Sequence, residues 1–90
     1  MTDEARQAEV MLDVLAERKR QDHIWGVQDN LAPIWLSRLM REVGEAANAL
    51  NGCWFSGRDL VEYRQQLVKV AAVAVSAVED YDRKLAGDSE

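Results

Sequence analysis

Three residue types that often carry structure or chemistry occur only once in this chain of 90 residues: cysteine, histidine and proline. The single cysteine, Cys53, excludes an intrachain disulfide and fits a reducing compartment, so we expect a cytoplasmic protein. The single histidine, His23, has no second histidine or cysteine at ligand spacing, which argues against a zinc site. No glycine-rich phosphate-binding loop is present. Disulfide-stabilised, zinc-dependent and P-loop proteins are therefore poor candidates.

The chain also lacks an excess of positive charge and any long hydrophobic run. Its formal net charge is −5 and its pI is about 4.8, so we do not expect nucleic acid as a partner. The uncharged stretch from Val70 to Val78 is far shorter than the ~20 residues of a membrane-spanning helix. The charged segment from Met1 to Arg6 is not a signal peptide. No membrane partner is expected, but a small anionic substrate remains open, because a bound divalent cation would reverse the local field.

Most of the chain consists of helix-forming segments that carry apolar stripes. The periodicity predicts an all-α fold, a three- to four-helix bundle in a single domain over residues 1–90 with a frayed tail from about residue 87. Val70 to Val78, apolar nearly all round, is predicted to lie in the middle of the bundle. The first helix is predicted from about Asp3 to Gln21, and the second from about Pro33 to a stop at Asn51–Gly52. The third is predicted from a capping box of Ser56 and Asp59 to about Leu85, with Gly87 closing it.

The apolar content is high for so short a chain. Hydrophobic residues make up 48% of the sequence, whereas a domain of this size buries only about 60% of its unfolded surface. We therefore expect a homodimer or homotetramer.

Glu42 and Glu45 are the most informative pair. They are three residues apart on a largely apolar helix, so they share one helix face and can bind one cation together. A metal site between two helices needs acids on the facing helix as well, and the best candidate helix offers Gln66 and Lys69 instead.

In order and spacing, four segments of the chain resemble the MazG-like family of all-α nucleoside triphosphate pyrophosphohydrolases, which are related to dimeric dUTPases. The resemblance covers residues from about 9 to 82. The segments are Glu17 to Gln21, Trp25 to Gln28, Glu42 to Glu45 and Leu67 to Val75.

The resemblance implies that Mg²⁺ is held between a Glu-Glu-x-x-Glu helix and a Glu-x-x-Asp helix. The metal and an activated water then cleave a nucleoside triphosphate into a monophosphate and pyrophosphate. Glu42 and Glu45 match two acids of the first motif and are the expected catalytic residues and metal ligands. Arg41 stands where the family has a third acid, and Gln66 and Lys69 fall on the acids of the second motif.

These departures leave several interpretations open. Lys69 could take the electrostatic role of the metal and form a salt bridge with Glu42 and Glu45, in which case Mg²⁺ is absent. Alternatively, a metal site displaced by one turn could use Glu42, Glu45 and Glu62, with Gln66 as a weak ligand, because Glu62, Gln66 and Lys69 share a helix face. The expected substrate-binding residues are Gln21, Trp25, Arg41 and Lys69, with the nucleobase stacked on Trp25.

Three classes of function follow. The first is a metal-dependent triphosphate pyrophosphohydrolase, the second a nucleotide-binding relative that does not hydrolyse, and the third a structural helical oligomer that keeps only the fold. The resemblance favours the first class.

Overall fold

The computed structural model describes residues 1–87, and these residues fold as a bundle of three helices with no strand. The all-α prediction is therefore confirmed for this part of the chain. The helices are α1 (Asp3–Trp25), α2 (Ala32–Ser56) and α3 (Val61–Ala86). Helix α3 is central, because α1 and α2 each pack against it and not against each other. No helix of the described residues is long and apolar enough to cross a membrane.

Local signals set the ends of α1. The hydroxyl of Thr2 accepts a hydrogen bond from the amide of Ala5 at 3.1 Å, and Asp3 and Glu4 place negative charge in the first turn. The helix continues past the predicted end at Gln21 and stops at Gly26, whose φ of 73° suits glycine far better than other residues. The extra turn brings Trp25 onto the helix and fixes its direction.

The predicted end of α2 at Asn51–Gly52 is wrong. The helix runs through this segment to Ser56, and Gly57 supplies the left-handed cap with a φ of 73°. An internal Gly52 costs about 1 kcal/mol relative to alanine. Burial of the neighbouring Cys53, which is 2% exposed, offsets that cost.

Helix α3 begins later than the capping box of Ser56 and Asp59 predicts. It starts at Val61, and the Asp59 carboxylate accepts a hydrogen bond from the Val61 amide at 3.1 Å, whereas Ser56 donates back to the carbonyl of Gly52. The predicted end is confirmed, since Gly87 caps the helix after Ala86. The predicted frayed tail beyond residue 87 lies outside the described residues.

A buried carboxylate ties the connection between α1 and α2 to α3. Asp80 is 1% exposed and accepts hydrogen bonds from the Trp35 indole at 2.6 Å, the Asn30 amide at 3.1 Å and the Lys84 ammonium at 2.9 Å. The Trp35 hydrogen bond is the largest cause that lowers the pKa of Asp80, to about 2. Asp80 therefore holds the start of α2, and with it the position of Trp35.

The helices leave much apolar surface uncovered. Only five hydrophobic residues of the described chain are buried: Val14, Trp35, Ala46, Cys53 and Ala72. The prediction that Val70 to Val78 lies in the middle of the bundle holds for one face only, because Val78 remains 59% exposed. A large apolar face on α2 and α3 is thus unpartnered within the chain.

Candidate functional site

A cavity of about 140 Å³ lies where α1 and α2 face each other across α3. By the same measure, a single water molecule needs roughly 10–15 Å³, so the cavity has room for several waters or for phosphate groups in their place. Its wall includes six of the residues that the sequence marks as site residues: Gln21, Trp25, Arg41, Glu42, Glu45 and Lys69. Residues from three helices, far apart in sequence, therefore meet in one place.

Two of the predicted ligands do not line this cavity. Glu62 lines a separate cavity beside Cys53 and Arg58, so the displaced site of Glu42, Glu45 and Glu62 is not assembled. Gln66 is half-buried on α3, and its side-chain oxygen is buried without a hydrogen-bond partner among the described residues. The acids that converge from the predicted set are Glu42 and Glu45 alone.

Glu42 is the more perturbed member of the pair. Burial raises the pKa of Glu42, and the adjacent Glu45 carboxyl raises it further, whereas the positive charges of Arg41 and Lys69 oppose the shift. Its Oε2 atom is buried and has no hydrogen-bond partner among residues 1–87. Two carboxylates both accept hydrogen bonds, so the pair can bond directly only when one of them holds a proton. A shared proton or a bound cation satisfies this oxygen.

The cavity wall is more basic than the chain as a whole. It has five cationic side chains (Arg18, Arg20, Arg38, Arg41, Lys69) and four acidic ones (Glu17, Asp22, Glu42, Glu45), whereas the chain has 11 and 16. Positive charge is thus concentrated at this cavity, although the protein as a whole is acidic. Such a wall favours an anionic ligand.

The α1 side of the wall is fixed by ion pairs. The buried Arg18 guanidinium donates to Glu79 on α3 at 3.2 Å and to Asp22 at 3.1 Å. Arg20 donates to Glu17 at 2.9 Å, and this hydrogen bond is the largest cause that lowers the pKa of Glu17. Arg18 and Arg20 are therefore committed to carboxylates and hold the wall in shape.

The sequence did not predict the contact between Trp35 and Arg38 in the cavity wall. The Arg38 guanidinium stacks 5.7 Å from the centroid of the Trp35 ring and donates a hydrogen bond to the side-chain oxygen of Gln28. Trp35 in turn donates to Asp80. A signal was available for Gln28, which ends one of the segments that resemble MazG-like proteins. For Arg38, its spacing of three residues from Trp35 on α2 was a signal for the stacking, whereas its place in the cavity depends on how α2 packs against α3.

Lys69 is half-buried, as its position in an apolar run predicts. It lines the cavity with Glu42 and Glu45, but it forms no ion pair with either within 4.0 Å. The predicted salt bridge between Lys69 and the acidic pair is therefore not formed. Lys69 acts at longer range, where its charge lowers the pKa of Glu42 and of Glu17.

The described residues do not fit a Mg²⁺ ion held by the chain alone. No group of three or more histidine, cysteine, aspartate or glutamate side chains within residues 1–87 is placed to hold a metal. The two converging carboxylates do fit a Mg²⁺ ion that arrives on a triphosphate, since Mg²⁺ is commonly held by one or two carboxylates together with substrate phosphates and water.

Comparisons with models of protein families, with curated proteins and with solved structures find no significant match to this chain. Function is therefore inferred from the side chains and their arrangement.

Proposed function

We propose that this chain is a MazG-like nucleoside triphosphate pyrophosphohydrolase that releases a nucleoside monophosphate and pyrophosphate. The observation that carries the proposal is that one cavity gathers an acidic pair, an accessible tryptophan and two cations, Arg41 and Lys69, that form no ion pair within residues 1–87. These are the groups that a polyphosphate ester with a planar base requires. Cys53, a buried free thiol, fits the reducing cytoplasm in which we place the protein.

Each part of the substrate has a counterpart in the wall. Arg41 and Lys69 neutralise the phosphates, and Trp25, which is 57% exposed, stacks on the base. Glu42 and Glu45 take up a proton from the attacking water as its oxygen bonds to phosphorus and the α–β phosphate bridge breaks. The raised pKa of Glu42 suits this role, because proton transfer is most effective near the working pH.

Glu42 and Glu45 are also the residues that would hold Mg²⁺ carried in by the triphosphate. The ion would neutralise phosphate charge and orient the substrate.

A second candidate is a nucleotide-binding protein that does not hydrolyse. It is favoured by the presence of Gln66 and Lys69 where the resemblance calls for acids. It is also favoured by the absence, within residues 1–87, of a third acid placed to hold a metal with Glu42 and Glu45. In this case the cavity binds the nucleotide and the acidic pair only shapes the electrostatics.

Pyrophosphate release from a panel of standard and modified triphosphates, with and without Mg²⁺, separates the candidates. Equal amounts of monophosphate and pyrophosphate support the hydrolase. Nucleotide binding without product supports the second candidate. Absence of both supports a purely structural role and contradicts the proposal.

Trp25 provides a prediction about the base. Stacking of a base on an aromatic side chain is worth about 1–3 kcal/mol by alanine substitution, and phenylalanine keeps part of it. Trp25→Phe should therefore weaken binding of a non-hydrolysable triphosphate by less than this and remove the ligand-induced fluorescence quenching that arises from Trp25. Trp54→Phe is the matched control, because Trp54 is 68% exposed and does not line the cavity. Quenching that survives in Trp25→Phe and is lost in Trp54→Phe would contradict this placement of the base.

The partner we propose for the unpaired apolar face is a second copy of the chain. The accessible surface is 6588 Å², whereas a folded monomer of this mass exposes about 5,300 Å². The excess of roughly 1,300 Å² exceeds the ~800 Å² that each partner buries in a standard interface. The exposed apolar side chains on α2 and α3 include Leu36, Met40, Val43, Leu67, Val78 and Tyr81. Leu36 and Tyr81 line one groove, which joins the two helices into a single face.

Light scattering tests this assembly. We expect twice the 10.2 kDa chain mass for the wild type and a monomer for Val78→Glu, because an unpaired carboxylate would be buried in the interface. Leu12→Glu, on an exposed position of α1 away from the face, should remain dimeric. A monomeric wild type at micromolar concentration would refute the assembly.

A further inference from the structure

Lys69 occupies an unusual position on α3. Its side chain lines both the site cavity and a second cavity formed by α1 and α3, so it lies between Glu17 of α1 and Glu42 of α2. It is half-buried, yet within residues 1–87 it forms neither an ion pair nor a hydrogen bond. A partly desolvated ammonium without a partner is costly, which makes it a strong binding group for an anion that enters the cavity.

The neighbouring charges show which cations remain available. Arg20 is already bonded to Glu17, and Arg18 to both Asp22 and Glu79, so these two cations are committed to carboxylates. Arg41, like Lys69, has no hydrogen bond or ion pair to any described residue. Lys69 and Arg41 are therefore the cations of the cavity wall that have neither a hydrogen bond nor an ion pair within residues 1–87.

We propose that Lys69, together with Arg41, anchors the phosphates of the nucleotide directly, so that binding of the polyphosphate does not require a divalent cation. The ligand class is thus the free, uncomplexed triphosphate, or a diphosphate with the same groups. The inference rests on the proposed nucleotide site and deepens it, since it assigns the phosphate subsite to a lysine fixed in the fold. The acidic pair then serves the water or a substrate-borne ion rather than the affinity for phosphate.

The physical reason is the arrangement of charges across the cavity. The Lys69 charge is part of the chain and needs no separate ion-binding step, and a half-buried ammonium is screened less than a fully exposed one. Lys69 is not neutralised by Glu42 or Glu45 at short range, so its charge is available to the ligand. Its point-like ammonium and the fork of Arg41 together match the oxygens of adjacent phosphates.

Calorimetric titration of the full chain with a non-hydrolysable nucleoside triphosphate tests this proposal, once in EDTA and once in excess Mg²⁺. We expect Kd values within about threefold of each other in the two buffers. Lys69→Gln should weaken binding in EDTA by about 10–100-fold, the usual effect of losing a charge-assisted hydrogen bond. Lys19→Gln, an exposed lysine outside the cavity, is the matched control and should bind as the wild type does.

A reversed charge gives a second, sharper readout. Lys69→Asp should lose binding in EDTA and recover part of it in Mg²⁺, because the aspartate adds a third acid beside Glu42 and Glu45. Circular dichroism of each variant is the control for folding, and we expect the helices to persist.

The outcomes distinguish the inference from the function on which it rests. Wild-type binding that occurs only with Mg²⁺, or Lys69→Gln that binds as tightly as the wild type, overturns the role of Lys69 and leaves the nucleotide site standing. Absence of binding in both buffers overturns both.

Discussion

Glu42→Gln and Glu45→Gln should each reduce turnover of a nucleoside triphosphate by about 10²–10⁴-fold, the usual contribution of a positioned general base. The two carboxyls lie on one wall of the cavity, and burial together with Glu45 raises the pKa of Glu42. Glutamine keeps the size and removes the proton-accepting group, so folding and phosphate binding should persist. Product formation under saturating substrate measures the effect.

Glu62→Gln is the matched control for this experiment. Glu62 is an acid on α3 near the site in sequence, but it lines a different cavity from the acidic pair. Its replacement should leave turnover within about twofold of the wild type. If Glu62→Gln abolished turnover and Glu45→Gln did not, the catalytic acids would be those of the displaced site, and the cavity described above would not be the active site.

The largest expected effect on stability comes from Asp80→Ala. This carboxylate is 1% exposed and bonds to Trp35, Asn30 and Lys84. Its removal leaves the buried Trp35 indole and the half-buried Asn30 amide without this acceptor, whereas the exposed Lys84 keeps Asp29. Breaking such a buried charged network costs about 3–5 kcal/mol, which is close to the whole stability of a small domain. Urea unfolding followed by circular dichroism measures the loss.

Asp82→Ala provides the comparison, since Asp82 is an exposed acid two residues away on the same helix. Its free energy of unfolding should stay within about 0.5 kcal/mol of the wild type. Equal destabilisation by the two substitutions would show that the Asp80 network does not hold α2 to α3.

The same network fixes the response to acid. The pKa of Asp80 is lowered from 3.8 to about 2 by its hydrogen bonds, so its stabilising contribution is complete above the unfolded pKa near 4 and disappears as the pH falls toward 2. The urea midpoint of the wild type should therefore drop across this window. In Asp80→Asn the drop should be smaller, because the group that titrates is gone.

The sequence predicted the three helices correctly, but it predicted their ends less well. The apolar stripes of α2 and α3 predict helices, whereas Asn51–Gly52 is also a common helix stop and predicts an end that the structure does not have. The choice between Gly52 and Gly57 depends on tertiary packing, because burial of Cys53 keeps the helix intact through Gly52. The helix propensity of the local sequence does not indicate that Cys53 is buried.

For the site too, some contacts were predictable from the sequence and others were not. Glu42, Glu45, Arg41 and Lys69 were identified by spacing and by resemblance, and they do line one cavity. The stacking of Arg38 on Trp35, three residues away on α2, was not predicted. The support of Trp35 by Asp80 was not predicted either, since it joins residues 45 positions apart in sequence. The salt bridge predicted for Lys69 fails because the side chain lies between two helices and approaches neither acid within 4.0 Å.

The most direct test of the proposed function is a crystal structure of the chain with a non-hydrolysable nucleoside triphosphate and Mg²⁺. We expect phosphate density beside Arg41 and Lys69, the base against Trp25, and any metal density beside Glu42 and Glu45. A nucleotide bound outside this cavity, or a cavity that stays filled with water at saturating nucleotide, would contradict the proposal.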